Sequence, residues 1–506
     1  MATSGGTRKP RAAMAGAWIP AAGEAGIRVR MYRVGFGDFF LVSLLDENGA
    51  PLHIVVDCGV FKGTSQTGDI QSIEAAVAHM AEVTGGRLAL VVMTHRHADH
   101  IAGFARCADV FGKMTVDAVW MPVWESEYDA KALAFQAQLA QAALDLRQHF
   151  SAIGAPTPEQ ETARKYMENA TGELAAAAAA AAGSNAKALD LLKKGLGVKP
   201  QYYQRGDKAK LPEALADAGL RCQVLGPPPV DDLDLMKLMD LTKGVGQYLA
   251  KQAQGANGGR SPFASKWDLE PEEVLTERDG AFVFYWPIAF REWVMPRKSW
   301  QDVTLEEAKP VRKPMEDALK RWNPVTALLA AKQLNAFLNN QSLVLLFSFK
   351  GKKLLFVGDA QAGNWEHWLF DTDEPDKKAS GKLTKSAEQI LSSIDFYKVG
   401  HHGSANATPK RAVAAMAATG RKFAAMCSTE ADVYGTEDPD DPAKGTEVPR
   451  GPLLDALAAT AALVRSDQIA IKVDGKKIKA QAPAPLPVAA AGRRFEQGEL
   501  WVDCYL

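Results

Sequence analysis

The chain has 506 residues, 47% apolar and 24% charged, with 59 basic against 60 acidic side chains. That mix is globular and long enough for two to four domains at about 100–200 residues each, or one domain with insertions. A formal net charge of −1 gives no global pull toward nucleic acid or membrane, and five scattered cysteines without a C-x-x-C pair argue against a disulfide framework or a thiolate zinc knuckle.

Residues 1–26 are rich in Gly, Ala and Pro and predict a loose, disordered tail. No apolar run of signal-peptide length follows Arg8, Lys9 and Arg11. The longest apolar run, 174–182, is alanine after its first residue and far shorter than the roughly 20 residues of a membrane span. A cytoplasmic protein is the expectation. Residues 27–34 alternate apolar and polar for most of their length, the period of a half-buried strand. After the turn Gly35-Phe36-Gly37-Asp38, further strands are expected at 39–45 and 53–56, the second stopping at Asp57-Cys58-Gly59. A helix is predicted over 71–82, a buried strand over 88–94 ending at His95, and a strand over 115–123.

From 125 to 335 the character changes, with helical apolar spacing at 129–148 and 160–194, a short strand-like piece at 221–225, a Gly-rich loop at 255–262 and an aromatic-rich stretch at 281–295. This range reads as a large, mainly helical insertion between two α/β halves, 27–124 and 336–506. In the second half, strands are predicted at 342–349, 354–357, 394–399 and 423–428, helices at 410–419 and 452–464, and terminal strands at 468–473 and 499–505. Strands alternating with helices on both sides of the insertion indicate an α/β layered fold.

Five of the nine histidines fall in two short motifs. The first is Thr94-His95-Arg96-His97-Ala98-Asp99-His100, directly after a buried strand. Imidazole and carboxylate are the usual ligands of catalytic zinc, and residues two apart in an extended segment face the same side. His95 and His97 can therefore share one metal, while Asp99 and His100, further round the turn, can face a second. Gly358-Asp359 ends an apolar strand, where a carboxylate can bridge two metals about 3.5–4 Å apart. The third motif, Gly400-His401-His402-Gly403-Ser404, also follows an apolar strand and completes the ligand count. One of its two histidines joins the second metal. His402 is the favoured ligand, leaving His401 behind the metal or facing substrate.

These motifs, in this order, resemble the metallo-β-lactamase superfamily, and more closely the soluble domain of bacterial competence DNA-uptake channels and related choline-phosphate esterases. The similar segments are Val34-Gly35-Phe36-Gly37-Asp38, Val55-Val56-Asp57-Cys58-Gly59, Thr94–His100 with Ile101-Ala102-Gly103, Asn340-Gln341-Ser342 leading to Phe356-Val357-Gly358-Asp359-Ala360, and Lys398–Ser404. They lie within 27–124 and 336–475. The resemblance implies a four-layer αββα sandwich, with Asp38 and Asp57 behind the ligands to orient them. Many superfamily members have another ligand histidine between the first motif and the bridging aspartate. The only histidine there, His149, falls in an amphipathic helical stretch and reads as a packed residue.

The expected chemistry is metal-dependent hydrolysis by a metal-activated hydroxide, with two Zn(II), or Mn(II) or Fe(II) in their place, and with Asp99 and His401 as catalytic residues. The leading substrate class, by resemblance, is a phosphodiester, either nucleic acid or nucleotide. The alternatives are an esterase, lactonase or amidase acting on a small molecule, and a metal-stabilised scaffold that binds a protein partner through 125–335. His367 reads as a packed residue. Lys398 could meet a phosphate or play a structural part.

Overall fold

A computed structural model of the chain describes residues 16–61, 72–151, 184–230, 276–278, 281–283, 334–370, 382–435, 437, 447–469, 471–473, 476–478, 484–490 and 492–506. The chain is α/β, and its described residues build two large mixed sheets beside three two-stranded ones. The first has eight strands in the order Arg494–Gln497, Trp501–Tyr505, Ile27–Tyr32, Phe39–Leu45, Pro51–Cys58, Leu90–Val92, Val119–Pro122 and Gln201–Tyr203. Its first five strands are antiparallel, with Val29 opposite both Val42 and Cys504. From Pro51–Cys58 onward the pairing is parallel. Parallel neighbours need long crossovers, and the helices Ile73–Thr84 and Ala98–Arg106 supply two of them. The second sheet has six strands in the order Ala461–Arg465, Phe423–Cys427, Phe396–Lys398, Lys352–Phe356, Val344–Phe349 and Arg221–Gly226.

Side-chain alternation along the strands sorts the apolar residues into separate clusters. Leu345, Phe347 and Phe356 pack with Val29, Phe40 and Val42, so one cluster takes side chains from both sheets. Val344, Leu346, Leu355 and Val357 turn the other way, onto Trp365, Leu391, Val413 and Leu457 of the helices Ala362–Leu369, Lys385–Ser392, Lys410–Ala417 and Gly451–Thr460. Leu41, Val55 and Val91 of the first sheet likewise pack on Val77, Ile101 and Phe104. Each such side chain stabilises the fold by about 1.5–3 kcal/mol when fully buried.

Several expectations meet differences. The polar positions of Ile27–Tyr32 do not face water: Arg30 makes paired bonds of 2.7 and 2.6 Å to Asp503, so both faces of this strand are buried. Of the expected tail, 1–15 lie outside the described residues, but 16–26 are tied down: Ala25 N donates to Leu506 O at 2.7 Å, and Trp18 stacks under Arg28. Two strands inside the range read as an insertion, Gln201–Tyr203 and Arg221–Gly226, are edge strands of the two sheets. Three-residue or interrupted apolar stretches carry little periodicity, which is why the sequence pattern does not assign them to a sheet. The rest of the described insertion includes the helix Ala130–Ser151; of the aromatic-rich stretch 281–295, Ala281–Val283 forms a short strand and 284–295 lie outside the described residues. The helix expected over 452–464 ends at Thr460, and Ala461–Arg465 continues as a strand parallel to Phe423–Cys427. The helix Ile73–Thr84 starts where Ser72 caps Ala75 N and stops at left-handed Gly85. Among the described residues, no helix is long and apolar enough to cross a membrane.

Candidate metal centre

The three motifs leave the C-terminal ends of strands in both sheets, the edge at which α/β folds commonly hold ligands. After Leu90–Val92 the chain turns sharply into the helix Ala98–Arg106, with His97 at its N-cap and Asp99 and His100 in the first turn. Asp57 anchors the turn. It accepts Thr94 N at 2.7 Å and Thr94 Oγ1 at 2.6 Å, and lies 2.8 Å from His100 Nδ1. Arg96 points away from the histidines and is held by Glu125 at 2.5 and 2.6 Å, while Asn185 Nδ2 donates to the Arg96 carbonyl. The loop also passes directly over Gly59, where a Cβ would stand 2.2 Å from Asp99 C and His100 N. Only glycine permits that approach.

On the second sheet, Asp359 N donates to Ser342 Oγ at 3.0 Å. His401 and His402 both have left-handed backbones, with φ of 47° and 53°. Such non-glycine conformations cost about 1–3 kcal/mol each and persist where surroundings enforce them. Here His401 N donates to Gly358 O at 3.2 Å, and His402 Nδ1 donates to Ser428 O at 2.9 Å.

The loops converge on Asp359. Its Oδ2 lies 3.1 Å from His100 Nε2, 3.6 Å from His402 Nε2, 3.8 Å from His401 Nε2 and 3.9 Å from His95 Nε2. His95 Nε2 is 2.9 Å from His97 Nδ1, and His402 Nε2 is 3.0 Å from Asp99 Oδ2. Two sets of ligand atoms, each within 4.8 Å of one another, share Asp359: His95, His97 and Asp359, and Asp99, His100, Asp359 and His402. These are the two groupings expected from the motifs. Asp38 and Asp57 stand behind them with His100 as a third such set. His402 is buried within the second set, whereas the His401 side chain is 20% exposed and has Asn406 Oδ1 at 3.3 Å and Asn339 Nδ2 at 3.5 Å.

The donor chemistry fits divalent cations. His97 Nε2, His100 Nε2 and both oxygens of Asp359 are buried without a hydrogen bond. Unpaired buried polar atoms are costly unless something answers them. Burial pushes the His95 imidazole well below its ordinary range, with His100 and His97 adding to it, and takes His97 down to about 4. Both are neutral at pH 7, the form that ligates metals. Burial also works against a charged His100, but Asp359, Asp57 and Asp38 outweigh it and hold that ring above its ordinary value. Asp359 remains well below the carboxylate range because His100, His402 and His401 overcome its burial. Beside Asp359, Asp57 and Asp38 the pocket thus favours positive charge, while His95 and His97 offer neutral nitrogen donors.

Other residues singled out from the sequence lie elsewhere. His367 is buried on Ala362–Leu369, and its carbonyl accepts a bond from Arg205. The side chain of His149 lies outside the described residues. Lys398 is buried and turned inward to Asp38, Gly358 O and Asp359, so it does not approach a substrate phosphate. Sequence reasoning did not find Thr94, Ser342, Ser428, Asn406 or the Arg96–Glu125 pair. Their signal is slight: small polar residues beside a ligand motif, and an arginine inside one. A scan against models of protein families and a search of curated proteins each return no match.

Proposed function

We propose that this chain is a dinuclear metal-dependent hydrolase with the four-layer αββα architecture of the metallo-β-lactamase fold, acting on phosphodiesters in the manner of a phosphodiesterase or nuclease. The observation that carries the reading is the meeting of four imidazole Nε2 atoms around one oxygen of Asp359, from loops far apart in sequence. The apolar cluster shared between the sheets, with helices packed on their other faces, supports the layering.

Under this reading His95, His97 and Asp359 hold one ion, and Asp99, His100, Asp359 and His402 the other. Imidazole with carboxylate suits Zn(II), with Mn(II) or Fe(II) as alternatives. Such a pair would lower the pKa of a water from 15.7 toward about 7 and stabilise charge on the substrate oxygens. The protein positions the reaction. Asp57 and Asp38 fix the rings of His100 and His402 from behind. Asp99, 12% exposed at its side chain, is the carboxylate that would hold and orient the attacking water. His401, on the exposed side, presents Nε2 to the substrate.

The substrate class rests on resemblance. Arg96 and Lys398, the basic residues inside the motifs, are both committed to internal carboxylates and supply no basic lining. The test is zinc-loaded protein assayed on bis-p-nitrophenyl phosphate and on p-nitrophenyl acetate. Diester hydrolysis that disappears in Asp99→Ala is the expected result. Hydrolysis surviving that substitution removes the mechanism, and turnover confined to the acetate moves the protein to the esterase class.

A further inference from the structure

Lys398 closes the strand Phe396–Lys398, and only 2% of its side chain is exposed. Its ammonium has three donors and meets three oxygens from outside its own strand. It forms an ion pair with Asp38 Oδ2, donates to Gly358 O at 3.0 Å and lies 3.6 Å from Asp359 Oδ1. Asp38 in turn stands 3.5 Å from His402 Nδ1 and 3.7 Å from His100 Nδ1. Lys398 is thus pressed against one oxygen of the shared carboxylate and one residue removed from two imidazoles. The other oxygen of Asp359, Oδ2, is the one that faces the histidines.

We propose that Lys398 is a positioning residue for the metal centre: its ammonium holds Asp359 with Oδ2 turned to the histidines and, through Asp38, fixes the rings of His100 and His402. This rests on the metal reading above. A compact ammonium can answer three oxygens converging from different loops, whereas the planar fork of arginine is matched to a single carboxylate. A buried carboxylate whose partner is removed is strongly unfavourable, so Asp38 and Asp359 would reorient without Lys398. Asp38, Asp57 and His100 also group as a set of ligand atoms, and the ammonium already takes the Asp38 side of that set.

The experiment compares full-length wild type with Lys398→Met and with Lys398→Met/Asp38→Asn. The double variant removes both charges together and guards against loss of folding from a stranded Asp38. Zinc affinity is read by competition with a chromophoric chelator, and ligand geometry by the visible absorption of cobalt-loaded protein. We expect zinc affinity to fall by about 10–100-fold in both variants, the range for groups that orient ligands, with altered cobalt bands. A folded double variant with wild-type zinc affinity and an unchanged cobalt spectrum overturns the proposal alone. A wild type that takes up no zinc overturns the metal reading beneath it, and that result is visible without any variant.

Discussion

His402 Nε2 lies 3.0 Å from Asp99 Oδ2, joining two loops 303 residues apart in the chain. Asp99 belongs to a helix that follows a strand of one sheet, and His402 to a loop that follows a strand of the other. The candidate centre therefore exists only when both sheets are in place. Its candidate ligand side chains are held by the fold, with Asp57, Ser342 and the Ser428 carbonyl fixing them from behind.

The adjacent histidines should separate in function. His402 is buried against Asp99, while His401 is partly exposed. His402→Gln should lower zinc affinity by at least about 10-fold, as expected when a ligand or its support is lost. His401→Gln should retain zinc but lower diester turnover by about 10²–10³-fold, the usual scale when one group aimed at the developing charge is removed. Metal analysis and steady-state rates on the same samples check this, and equal zinc loss in both variants contradicts the assignment.

Gly59→Ala should disturb the site from behind. The added methyl would meet the Asp99–His100 peptide at 2.2 Å, and backbone cannot swing aside as a side-chain tip can. Overpacking of this kind costs about 1–3 kcal/mol or more. Urea unfolding should show a lower midpoint, together with weaker zinc binding. A variant with wild-type stability and zinc affinity would show that the loop is looser than described.

How much of this was legible in the sequence follows from the range of the signals. That His95, His97, Asp99 and His100 gather in one place is readable because their spacing is local, and strands such as Val344–Phe349 because apolar runs are local. The choice between His401 and His402 is not local, since it depends on which ring turns toward Asp99 across the sheets. Lys398 was ambiguous for the same reason. A lysine beside a histidine pair could face substrate, and only the position of Asp38 shows it turned inward. Arg221–Gly226 lay inside the expected insertion because its role as an edge strand depends on pairing with Val344–Phe349, far along the chain.

Acid should weaken the fold at a point away from the candidate metal centre. His53 donates to or accepts from Ser43 Oγ at 2.9 Å, and burial, with Arg28 and Arg30 adding, lowers its pKa from 6.5 to about 4. Below about pH 6.5 the unfolded chain binds a proton that the folded chain refuses, so the stabilising contribution is complete above that pH. It should be lost toward pH 4 at up to about 1.4 kcal/mol per unit. Comparing unfolding free energies of wild type and His53→Gln from pH 7 to 4.5 isolates this site. The advantage of wild type should shrink as pH falls, and a constant difference contradicts the assignment.

The most direct test of the central claim is the zinc content of dialysed wild type and Asp359→Ala by elemental analysis. Two sets of ligands sharing one carboxylate predict about two ions per wild-type chain, and fewer than one in Asp359→Ala. Equal zinc content in the two proteins would contradict a centre built around Asp359.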